Sequence, residues 1–193
     1  YAKRAGYASV GEAMGGMRYL SGYPDRPTCR TGLSIGDSLA ATFACVGALA
    51  ALEQRRVSGE GQIVDSAIYE SVLNIMEATI PEYTCTEYIR ERSGSVLPNV
   101  APSNVYTCSD GDIVIGANQD TVFKRLCEAM QQPELFQDER YGSHIARGEN
   151  QAELDERINA WTKTKTADEV DALMIEHGVP AGRVYRAPEM IAD

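Results

Sequence analysis

No two of the five cysteines fall in a C-x-x-C pair, and only two histidines are present. No Cys/His cluster therefore has the spacing of a zinc site. Basic residues are also scarce, with 18 Lys and Arg against 28 Asp and Glu, a formal charge of -10. That balance excludes a general nucleic-acid binder, which needs a basic footprint to displace counterions from phosphates. It does not exclude a phosphate-bearing ligand held by a local basic cluster. The longest apolar run, Leu39 to Leu52, is alanine-rich and reads as too short to span a bilayer. Walker A, G-x-G-x-x-G, G-x-S-x-G and H-E-x-x-H motifs are all missing. Cysteines that are odd in number and widely spaced fit reduced thiols and a cytoplasmic setting.

What is present is the balance of an ordinary folded protein, 44% apolar and 24% charged. The chain begins at Tyr1 inside what reads as structured sequence, so it is expected to be part of a longer protein. Residues 8–20, with Gly11, Gly15 and Gly16 among apolar positions, predict a helix that a neighbouring backbone approaches closely. Residues 21–36 read as an irregular loop. A buried helix should start at Asp37 or Ser38 and run to Val57, stopped by Ser58-Gly59-Glu60-Gly61. A short strand is expected at 62–65 and a helix from Ser66 to Thr79, limited by Pro81.

The stretch 92–104 loses all periodicity and reads as a loop. A hairpin should follow, with strands at 104–108 and 112–117 around Ser109-Asp110-Gly111. Helices are expected at 119–130, 150–161 and 166–177, the last with Thr166 and Glu169 in a capping box and Gly178 as its stop. A final strand is expected within 179–185. The fold class is α/β, divided into residues 1–90, a linker at 91–103, and a small α+β domain at 104–193.

The local feature of most chemical interest is Ser34-Ile35-Gly36-Asp37-Ser38, a turn entering a helix. Asp37 there suits an N-cap, accepting hydrogen bonds from first-turn amides. The same place suits a nucleophilic carboxylate, because the helix end favours negative charge and spare amides stabilise an oxyanion. Local sequence leaves both open. His144 and His177 read as surface or capping residues, Gly116-Ala117-Asn118-Gln119 as a plain turn, and Cys45 and Cys108 as buried small hydrophobes.

Longer matches decide more. GYASVGEAMGGMRYLSG, the GD of SIGDS, ALAALEQRRVSGEGQIVDSAIYESVLN, SVLPNVAPSNVYTCSDGDIVIGANQDTVFKRLCEAM and HGVPAGRVY occur in this order. Together they resemble the family III CoA-transferases, the formyl-CoA and carnitine-CoA transferase family, over nearly the whole chain. The resemblance implies the helical part of a Rossmann-like large domain followed by a smaller α+β domain, from a fold of interlocked homodimers. It implies Asp37 as nucleophile, acyl-CoA and a carboxylic acid as substrates, and no metal. Tyr7 is implied as a contact to coenzyme A, with Lys3 and Arg4 near its phosphates.

Racemases of the same fold carry a His thirty positions before the Asp, where this chain has Tyr7, and a Glu near the position of Gln119. Both departures favour transfer over α-proton chemistry. The family's glycine-rich covering loop corresponds here to Gly94 to Pro102, with one glycine. A catalytically silent folded core is the reading outside enzyme chemistry.

Overall fold

The structure is a computed structural model describing residues 5–193, and the chain separates into two units, Tyr1–Gly94 and Ser95–Asp193. In the first unit the expected helix over 8–20 is two: α1 (Ala8–Met14) and α2 (Met17–Leu20). They break at Gly16, whose φ of 94° lies in the left-handed region that glycine adopts without steric cost. α3 (Ile35–Ser58) follows the irregular loop and ends on Gly59 at φ 77°, its amide returning to the Arg55 carbonyl. α4 (Ile68–Asn74) and α5 (Thr79–Thr86) replace the single helix expected from Ser66. Pro81 lies in the first turn of α5, where its missing amide costs no intrahelical bond, so it opens that region instead of closing it.

Packing in this unit is set by the absence of side chains. A Cβ built at Gly11 would lie 2.6 Å from Ile68 Cγ2, and one at Gly36 would lie 2.9 Å from the same atom. At Gly15 it would lie 2.6 Å from Val72 Cγ1 and 2.8 Å from the Tyr69 carbonyl oxygen. α1 and the first turn of α3 therefore close directly onto α4 around the fully buried Val72.

Two expectations are corrected. α3 is not buried: of its 24 residues only Gly36 is, and Val46, Leu49, Leu52 and Val57 stand exposed. Small and apolar residues on most faces are those of a core helix, but within this unit its close approaches include the first turn and Gly47, against Val64, while most of its length is exposed. By length and composition the helix could cross a membrane, its mean hydropathy reaching 1.7. The core helix of a soluble protein has the same composition. Residues 62–65 form no strand, with Ile63 95% exposed, because a strand requires a neighbour to complete its ladder.

The second unit follows its local signals. β1 (Ser103–Thr107) and β2 (Asp112–Gly116) form an antiparallel hairpin in the register Ser103↔Gly116 to Thr107↔Asp112. β3 (Ala181–Arg183) adds antiparallel to β2, giving the order β1-β2-β3. Ile113 and Ile115 point into the core while Val114 points out, the period-two alternation of a sheet covered on one face. α6 (Asp120–Ala129), α8 (Gln151–Thr162) and α9 (Ala167–His177) supply Phe123, Leu126, Leu154, Ile158, Val170 and Met174 to that core. The capping box of α9 is complete in both directions. A 3-10 turn (Pro133–Gln137), α7 (His144–Glu149) and α10 (Ala187–Ala192) are short elements the pattern does not announce.

The centre of this unit is a cation. Arg147, 0% exposed, donates to the carbonyls of Ala101, Tyr141 and Asn118 and to Asp120 Oδ1, at 2.7–3.1 Å, and its guanidinium stacks 4.6 Å from the Phe123 ring centroid. Gln151 donates to the Leu97 and Val100 carbonyls and accepts from the Asn99 amide. Arg147→Met should lower the stability of the second unit by about 3 kcal/mol, since the buried carbonyls of Ala101 and Tyr141 lose their donor. A shift of the urea midpoint read from Trp161 fluorescence checks it.

Candidate functional site

Asp37 is the third residue of α3, within its first turn, with Ser34 at the cap position. The N-cap expectation for Asp37 is thus corrected, and the cause lies in two neighbours. The Ser34 hydroxyl accepts from Arg30 Nη2 at 3.0 Å, so it does not cap the helix. Glu12 supplies the acceptor instead: its Oε1 takes the Gly36 amide at 3.4 Å from across the unit, 24 residues away. With a first-turn amide satisfied from outside, the helix begins two residues earlier than the sequence implies.

Glu12 is only 1% exposed and forms an ion pair with Arg18, Nε to Oε2 at 3.1 Å. A buried carboxylate is tolerable only when paired and hydrogen-bonded, and this one has both a cation and an amide. The arrangement places Glu12 beneath the turn that carries Asp37. Asp37 itself is exposed, in the first turn, where the helix dipole complements negative charge.

Tyr7, Ala8, Ser9, Glu12, Arg18, Arg30 and Asp37 line one hollow of about 350 Å³. The structure thus brings together two of the residues singled out from sequence, Tyr7 and Asp37. Tyr7 precedes α1 and is 86% exposed. Lys3 and Arg4 lie outside the described residues. Glu12, Arg18 and Arg30 were not identified from sequence. An acid inside the small-residue run GEAMGG is a legible signal for Glu12, whereas Arg30 sits in an irregular loop with no pattern at all.

A second hollow of about 300 Å³ is lined by apolar and aromatic groups, Met14, Tyr19, Met76, Tyr83 and Tyr88 among them, and contains neither Tyr7 nor Asp37. It offers shape and apolar surface, while the Asp37 hollow offers a carboxylate, a phenol and two guanidinium groups. Chemistry is therefore assigned to the latter. No cysteine is among the described residues lining it; in the second unit burial pushes Cys127 up to about 12 and raises Cys108. Cys45, expected to be buried, is exposed on the uncovered face of α3.

Comparison with known proteins bears on the family of the chain. The profile of CoA-transferase family III matches residues 1–193. A succinyl-CoA–D-citramalate CoA-transferase of Chloroflexus aurantiacus is 61% identical over 194 residues, covering 100% of this chain and 48% of that protein. A succinyl-CoA:mesaconate CoA-transferase of Haloarcula hispanica is 35% identical over 185 residues, covering 95% of this chain and 46% of its own. The crystal structure of a CAIB/BAIF family protein from Brucella suis superposes with a TM-score of 0.89 at 30% identity, over 100% of this chain and 51% of that one. The chain spans about half the length of these relatives.

Glu12→Ala should destabilise the first unit by roughly 2–3 kcal/mol, because Arg18 and the Gly36 amide lose a buried partner together. Glu12→Gln, which keeps an acceptor for the amide, should recover part of that loss. Denaturant unfolding followed by circular dichroism distinguishes the two.

Proposed function

The chain belongs to CoA-transferase family III, and on that premise we propose that it carries the nucleophile of an enzyme moving CoA between short dicarboxylic acids. The single observation that supports the role of Asp37 is its place in the Tyr7–Arg18–Arg30 hollow, at the first turn of α3. The dicarboxylate class comes from the relatives' names, which pair succinyl-CoA with citramalate and with mesaconate. The whole protein acts as a homodimer in this reading, as the family resemblance implies.

An Asp37 carboxylate oxygen attacks the thioester carbonyl of the donor. A C–O bond forms, the C–S bond breaks, and CoA leaves as thiolate. The thiolate attacks the Asp37 carbonyl of the resulting mixed anhydride, releasing the donor acid and leaving an aspartyl-CoA thioester. The acceptor carboxylate then attacks this thioester, expelling thiolate and forming a second anhydride. Attack of the thiolate on the acceptor's acyl carbon yields the new acyl-CoA and restores Asp37. Each tetrahedral intermediate places negative charge beside the first turn of α3, where helix geometry leaves amides without intrahelical acceptors. In this reading the Tyr7 phenol, exposed in the same hollow, contacts CoA.

Racemisation would require a base able to take an α-proton near neutral pH, and Tyr7 replaces the imidazole. Exchange of the α-proton for deuterium in acyl-CoA should therefore be absent.

Mass spectrometry of the full-length protein with acyl-CoA donors, trapped with hydroxylamine, should find the modification on Asp37. Asp37→Ala should abolish it and lower turnover by about a thousand-fold or more. A parent protein that forms no adduct with any donor would sink the covalent mechanism. An adduct in the parent but not in residues 1–193 alone would make this part of the chain a folded core that needs the rest to act.

A further inference from the structure

We propose that Arg30 selects a dicarboxylic acceptor by binding the carboxylate that does not react, and that it does so once Asp37 has been acylated. The inference rests on the transferase reading above and adds to it a residue, a ligand group and an order of events.

Among the described residues, four charged side chains line the Asp37 hollow: Glu12, Arg18, Arg30 and Asp37. Glu12 and Arg18 cancel one another through their 3.1 Å ion pair, and that pair is committed to holding the turn. Arg30 and Asp37 remain. No carboxylate pairs with Arg30 among the described residues; its guanidinium is held through Nη2 on the neutral Ser34 hydroxyl at 3.0 Å. That bond fixes the side chain at the entrance to α3 without neutralising it.

With Asp37 ionised, the four charges sum to zero. Once Asp37 is a thioester its charge is gone, and of these four groups Arg30 alone is uncompensated. A second anion is then favoured where it was previously repelled by Asp37. A guanidinium binds a carboxylate through parallel hydrogen bonds, a geometry that Tyr7 cannot reproduce. A monocarboxylate presents only its reacting group to Asp37 and gains nothing from Arg30. A short diacid spans both. Acceptor selection is thereby coupled to acylation, because the charge that attracts the diacid is uncovered by the step preceding its use.

The test uses the full-length protein, unsubstituted and as Arg30→Gln and Arg30→Lys. The Asp37 thioester is formed with succinyl-CoA, freed of succinate, and discharged with succinate or with butyrate, four-carbon acids differing in one carboxylate. Arg30→Gln should lower the preference for succinate over butyrate at least ten-fold, and Arg30→Lys should restore part of it. Equal losses for both acids, or an unchanged preference, overturns the assignment while leaving the transferase reading intact. Absence of any thioester in the unsubstituted protein overturns both. Circular dichroism of each variant should match the parent, since Arg30 is exposed and its one recorded bond is to a surface hydroxyl.

Discussion

Gly11, Gly15 and Gly36 present bare backbone to Ile68 and Val72, and the first unit is organised around that contact. Interiors are close-packed, so one added methyl at any of these positions would force helices apart by an appreciable fraction of an ångström. The separation of α1 from α3 is what allows the Glu12 carboxylate to reach the Gly36 amide. Asp37 follows Gly36 directly. The position of the candidate nucleophile is thus a consequence of three missing side chains and two β-branched ones.

The two units solve a shared problem with opposite charges. In the first, a buried anion satisfies an amide at the start of a helix, and Arg18 neutralises it. In the second, a buried cation gathers the carbonyls of Ala101, Tyr141 and Asn118, and Asp120 neutralises it. Each places an ionised group where irregular backbone would otherwise be left without partners. Neither group contributes much as a net electrostatic gain. Both fix which loop meets which helix.

How much of this was legible in the sequence differs between the units for a physical reason. In the second, information is local: the turn Ser109-Asp110-Gly111 sets a hairpin, Thr166 and Glu169 cap one helix, and Gly178 ends it. In the first, it is remote. Whether α3 is covered, or residues 62–65 form a strand, depends on partners that no window of neighbouring residues contains. Asp37 stood out through the family resemblance, while its local reading as an N-cap failed because Glu12, far off in sequence, took that task. Arg30 carried no pattern, since its role arises only from which side chains share its hollow.

The pinning of residues 97–101 by Arg147 and Gln151 has a practical corollary. Read as sequence, this proline-containing stretch, three residues past Gly94, looks like the natural place to cut the chain, insert a tag or graft a longer linker. The carbonyls of Leu97, Val100 and Ala101 are held by side chains of two helices, and the backbone of Asn99 lies 2.8 Å from where a Cβ on Gly148 would be. Proteases need several residues of pliable backbone, and engineered insertions need ends that can part. Between Leu97 and Ala101 the chain provides neither, so the apparent seam is among the worst places to open it.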